Sequence, residues 1–121
     1  MSIDEFFTGF ENSRPLFDAL SAIASRDTRV FIRVGKSQVS FWDRKPFLWV
    51  WIPGRYLKNR LTAPLVMTVV FRQRDPSPRW KEIVEARKGL FTHHLELFSV
   101  DDIDVAVTGW VAQSWRENTA V

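Results

Sequence analysis

Two adjacent histidines, His93 and His94, are the side chains of this 121-residue chain whose unperturbed pKa lies near neutrality. They sit in Phe91-Thr92-His93-His94-Leu95-Glu96-Leu97, where apolar and polar residues alternate as in a β-strand. Neighbours in a strand point to opposite faces, so the two cannot share one task. His93 has the parity of Phe91, Leu95 and Leu97 and is expected in the core, as a hydrogen-bonded histidine or a buried proton acceptor. His94 has the parity of Thr92 and Glu96 and is expected on the polar side. There it is a candidate ligand contact or general acid–base group, against the plainer role of a solvated strand histidine.

Other chemistry is thin. The chain has no cysteine, which excludes disulfides, thiolate metal sites and thiol catalysis and is compatible with a reducing compartment. Two adjacent histidines on a strand diverge, and no His-x-His or His-x-x-Glu-His spacing is present, so neither a metal nor a cofactor is expected. No Ser–His–acid spacing and no carboxylate pair in an apolar setting appears, which leans against an enzyme. The turn Gly35-Lys36-Ser37-Gln38 offers backbone N–H groups, a cation and two hydrogen-bonding side chains that can hold a phosphate or carboxylate. It lacks P-loop spacing and leads into no helix, and it also reads as a plain hairpin turn.

The elements that must position these groups follow from periodicity. Ser2 can cap a short first turn. Ser13 and Pro15 read as the start of a helix whose Leu16, Leu20, Ile23 and Ala24 form one apolar stripe. From Thr28 to Val34 the period switches to two, with Val30, Ile32 and Val34 set against Arg29, Phe31 and Arg33. A second strand runs from Gln38 to Trp42. Phe47 to Ile52 is apolar on both faces and belongs at the centre of a sheet. Leu65 to Phe71 is another strand, Trp80 to Arg87 is read as a strand in preference to a helix, and the histidine strand follows. A last helix is expected behind Ser99 as N-cap, with Asp101 and Asp102 in its first turn and Ile103, Val107, Trp110, Val111 and Ser114 at helical spacing.

The expected fold is therefore α+β: an antiparallel sheet of five or six strands with N- and C-terminal helices packed on one face. Residues 1–121 are read as a single domain. The helix–sheet–helix order is that of frataxin-like and MmcQ/YjbR-like folds, an analogy of topology that carries no function. The uncovered face would show Arg29, Phe31, Arg33, Ser40, Trp42, one of the sets Phe47/Trp49/Trp51 or Leu48/Val50/Ile52, and Thr68 with Arg72. Such a face can stack on bases, form a homodimer or be covered as a second core.

Charge is unevenly spread. Residues 28–89 hold fourteen bases and four acids, a balance of +10, while the two ends together hold ten acids and three bases, a balance of −7. A basic middle of this kind can steer an anionic small molecule or nucleic acid. The N-terminus lacks the basic, apolar pattern of a secretory signal, and the longest apolar tract is too short to span a membrane, so a cytoplasmic protein without membrane contact is expected.

From Arg33 to Trp115 the chain resembles a bacterial family known as domain of unknown function 5655. The resemblance rests on Gly35-Lys36-Ser37-Gln38-Val39-Ser40-Phe41, Phe47 with Trp51-Ile52-Pro53, His93-His94-Leu95-Glu96-Leu97, and Asp101-Asp102-Ile103-Asp104 with Trp110-Val111. The family usually ends its helix with Ala-Tyr, where this chain has Ser114-Trp115. It implies no reaction, but it singles out Lys36, Ser37, Gln38 and His94. The resulting expectation is a small binding or interaction module. Its anion-receptive patch combines Lys36, Ser37, Gln38 and His94 with a nearby arginine, Arg33, Arg44 or Arg79. A small-molecule enzyme using His94, and a nucleic-acid-associated protein using the basic aromatic face, are the alternatives.

Overall fold

The computed structural model describes residues 1–27 and 29–119, so Thr28 lies outside the described residues. Three helices, α1 (Ile3–Phe7), α2 (Arg14–Ala24) and α3 (Val105–Thr119), accompany six strands. The strands are β1 (Phe31–Val34), β2 (Val39–Asp43), β3 (Lys45–Trp51), β4 (Leu65–Phe71), β5 (Glu82–Arg87) and β6 (Leu90–Leu97). They form one antiparallel sheet in the order β1-β2-β3-β4-β6-β5. The segment from Trp80 to Arg87 thus contributes an edge strand, and the apolar β3 lies inside the sheet, as its composition requires.

Alternation decides which side chains meet the helices. Val39, Phe41, Leu48, Val50, Leu65, Met67, Val69, Phe71, His93, Leu95 and Leu97 are buried under α2 and α3. From the helices, Phe6, Phe7, Leu16, Phe17, Leu20, Ala24, Val107 and Val111 join this core, with Phe17 lying 5.8 Å from the Phe41 ring. Each large apolar side chain so buried contributes about 1.5–3 kcal/mol.

One residue leaves the alternation. Trp42 pairs with Pro46 while Phe41 pairs with Leu48, so Phe47 is the extra residue of a β-bulge. The bulge turns Phe47 into the helix-covered core, where it is buried, while Trp49 and Trp51 stay on the open face. Of the two outward sets expected from sequence, only the tryptophans of the first are outward. Arg72 also departs from expectation: its backbone N–H and guanidinium both engage Glu117 of α3.

Of the three expected N-caps, Ser13 and Ser99 shift and Ser2 does not. Ser2 closes a capping box on α1 with Glu5. The Ser13 hydroxyl, however, donates to the Pro64 carbonyl at 2.6 Å and does not cap α2, which opens on Arg14-Pro15. Ser99 and Asp102 close their capping box on a single 3-10 turn, Val100–Asp102. Ile103 then breaks the helical path (φ −91°, ψ 77°), and Asp104 caps α3 through Val107 N–H to Oδ1 at 3.1 Å. That backbone bond, with help from Arg79 at 2.9 Å, holds the Asp104 carboxyl below its ordinary value. Replacing Asp104 by alanine is expected to cost about 1 kcal/mol in urea unfolding, and Asp104→Asn clearly less, because asparagine still caps.

Candidate functional site

The face away from the helices carries a cleft of about 300 Å³ lined by Gln38, Trp49, Trp51, Thr68, Val70, Thr92 and His94. Three strands, β3, β4 and β6, build it, together with the residue that precedes β2. Trp49 is paired with Thr68 and Thr68 with His94, so indole, hydroxyl and imidazole stand side by side in one row across the sheet. Val70 and Thr92 form the next pair. Gln38 enters from the turn just before β2, next to Trp51 at the end of β3.

The two histidines divide as strand parity requires. His93 is fully buried on the helix side. Its Nδ1 lies 2.9 Å from the Phe91 carbonyl, which can only accept, so Nδ1 carries the proton; Nε2 then accepts from Asp75 N–H at 3.0 Å. Both nitrogens are spent on backbone groups, which makes His93 a structural post.

His94 is half-buried, with Nδ1 2.8 Å from the Thr68 hydroxyl. Its Nε2 has no protein partner among the described residues, yet no buried side-chain nitrogen or oxygen is left unpartnered, so Nε2 opens to solvent at the cleft. Burial lowers the His94 pKa below the ordinary value, Glu82 on β5 pulls it back up, and Lys81 pushes it down. The imidazole is therefore neutral at pH 7, with Thr68 holding its ring.

The residues singled out from sequence are distributed over the fold. Gln38 and His94 share the cleft. Lys36 and Ser37 are exposed in the adjoining turn, which Gly35 N–H closes on the Gln38 carbonyl at 2.9 Å. Arg33 is in the His94 row but four strands away, roughly 19 Å at the usual strand spacing, with its guanidinium 4.0 Å above the Trp42 ring. Arg44, at a left-handed turn position (φ 65°), donates to the Thr119 carbonyl. Arg79 pairs with Asp104 and lies over Trp110 on the helix side. The structure thus brings Gln38 and His94 together with the Lys36–Ser37 turn beside them, and places the three arginines elsewhere.

The sheet end above the cleft holds further cations. Arg55 donates to the Lys36 carbonyl at 3.0 Å and packs on Phe6 and Phe10, and exposed Lys58 and Arg60 follow in the same β3–β4 connection. The charge imbalance along the chain is partly cancelled in space, since Arg29 pairs with Asp27, Arg79 with Asp104 and Lys81 with Glu96. Among the described residues, Arg33 and Lys36 have no carboxylate partner within ion-pair distance. Reading along the chain missed Thr92 and Val70 as cleft residues. A β4–β6 pairing would have revealed them, but that pairing skips β5.

Among the described residues, no three of His, Cys, Asp and Glu converge as a metal would require. No helix among them is long and apolar enough to cross a membrane. Together the elements make an α+β fold with helices on one face of an antiparallel sheet and a polar–aromatic cleft on the other. The chain belongs to the family described as Domain of unknown function (DUF5655), whose model matches residues 3–118. Neither the curated proteins nor the solved structures contain a significant match.

Proposed function

We propose that the protein is a binding module whose open-face cleft takes a small anion carrying a planar ring. The cleft itself supports this reading. Two indoles offer stacking surface, Gln38, Thr68, Thr92 and the neutral His94 offer hydrogen bonds, and no carboxylate is among the lining residues. An anionic group would be held at the Lys36–Ser37–Gln38 turn, with Lys58 and Arg60 supplying the surrounding field. Arg33 would lend long-range charge from β1.

Titration with adenosine monophosphate tests this, because it joins a planar base to a phosphate. The Trp49 and Trp51 indole N–H resonances and the His94 ring signals are expected to shift. Phosphate alone should move the Lys36–Gln38 amides, and Trp51→Ala or Gln38→Ala should weaken binding about tenfold. If none of these resonances moves with adenosine monophosphate, phosphate or a panel of aromatic carboxylates, the reading is wrong.

A second reading has one observation in its favour. In the tautomer whose Nδ1–H donates to the Thr68 hydroxyl, Nε2 carries a free lone pair facing the cleft, the arrangement needed by a general base at neutral pH. A bound ligand that turns over in the wild type and persists with His94→Gln would mark that activity.

A further inference from the structure

The open face is complementary to itself. One row crosses all six strands in register: Arg33, Ser40, Trp49, Thr68, His94 and Glu82. It begins with an exposed cation and ends with an exposed anion. Two residues further along each edge strand, on the same side of that row, stand Phe31 and Val84. These are exposed apolar side chains, with 44% and 39% of their surface accessible. The row on the other side holds Gln38 on the β2 side and Glu96 on the β6 side.

We propose that a second copy of this chain docks on this face about a two-fold axis that runs along the strands between β3 and β4. That operation lays β1 of one copy over β5 of the other. Arg33 then meets the partner copy's Glu82, Phe31 meets its Val84, and Gln38 faces its Glu96. A two-fold across the strands would instead stack Arg33 on Arg33 and Glu82 on Glu82, so charge selects the first operator. The interface is isologous, and every contact occurs twice.

Strand spacing of about 4.8 Å and a rise of about 3.3 Å per residue make the face roughly 24 by 20 Å. Two such faces bury about 1,000 Å² in all, the lower limit for a specific interface. The dimer is therefore weak and concentration-dependent. Its contacts fall on the two flanks, and the two clefts face each other between them. Association buries the whole face, takes its charge and apolar pairs from the flanks, and needs no ligand in the cleft. Glu82 and Glu96 on the same face oppose a nucleic-acid backbone as its occupant.

Sedimentation equilibrium of the ligand-free protein tests the proposal. The wild type is expected to pass from monomer at about 1 μM to dimer at about 0.5 mM, as micromolar affinity implies. Arg33→Glu and Glu82→Arg should each weaken association at least tenfold, and the double exchange should restore it. Val84→Glu should weaken it as well, which separates this face from pairing along the exposed edge of β1. A monomer at every concentration overturns the proposal, and so do single variants that associate normally or a double exchange without rescue. Because no ligand is present, each of these results is independent of whether the cleft binds adenosine monophosphate. A complex that instead forms with single-stranded DNA and dissolves with salt would assign the face to nucleic acid and also overturn it.

Discussion

His93→Leu is expected to destabilise the protein by about 2–4 kcal/mol, although leucine is apolar and of similar size. The loss comes from two backbone groups. Asp75 N–H and the Phe91 carbonyl bond the two ring nitrogens at 3.0 and 2.9 Å, and leucine can satisfy neither. The same geometry sets a pH dependence. Burial, which penalises the charged ring, lowers the His93 pKa below its unfolded value of 6.5, against the upward pull of the Phe91 carbonyl and the Asp75 charge. Above the unfolded pKa both states are neutral and the contribution is whole. As pH falls below it, the unfolded chain takes up the proton first, and stability declines until the folded ring also titrates. Urea midpoints measured from about pH 7.5 to about pH 5 should fall for the wild type and fall less for His93→Leu. His94, also lowered by burial, keeps part of the slope. A variant with the same slope as wild type would remove His93 from the account.

Trp80→Ala should cost about 3–5 kcal/mol, whereas Trp49→Ala should cost far less and act on binding. Trp80 is buried on the helix side. Its Nε1 donates to Asp75 at 2.9 Å, its ring lies 4.9 Å from that of His93, and the tilted ring of Trp110 of α3 packs 4.3 Å away. Because Trp80 and His93 share Asp75, a double-mutant cycle between them should show coupling above about 0.5 kcal/mol. Trp49 is half-buried on the open face and lines the cleft. Equal unfolding free energies for the two alanine variants would mean that the open face is as structural as the core.

Much of this fold can be read along the chain, because alternation is a local property. The switch of period at β1, the uninterrupted apolar run of β3 and the opposed parities of His93 and His94 all follow from neighbours one or two residues apart. The start of α3 does not. Ser99 with Asp102 and Asp104 with Val107 are both legitimate caps, and the break at Ile103, an affair of tertiary packing, decides which one opens the long helix. Phe47 is hidden for a similar reason, since a bulge exists only relative to a partner strand. The candidate site shows the same division. Gln38 and His94 are legible as residue types, but their meeting depends on β6 lying against β4 with β5 outside it. Arg33 is on the face its parity requires but four strands from His94, a distance that strand order alone sets, while side-chain direction at a turn position such as Arg44 is not periodic.

That strand order also constrains how the chain can reach its native state. From β1 to β4 every neighbour in space is the next strand in sequence, so a meander can form by successive hairpins. The chain then leaves β4, passes under the end of the last strand through the Asp75–Trp80 segment, and returns to fill the gap it skipped. Threading β6 into a slot between strands already in place would be slow. The tight turn at Gly89, which has a φ of 79°, removes the need by joining β5 and β6 as a hairpin. That hairpin can dock whole, its inner strand zipping onto β4 in one step. His93, on that inner strand, ties the docked hairpin to the Asp75–Trp80 crossover through its bond to Asp75. The buried histidine therefore works as a clasp between the β5–β6 hairpin and the crossover that leads into it.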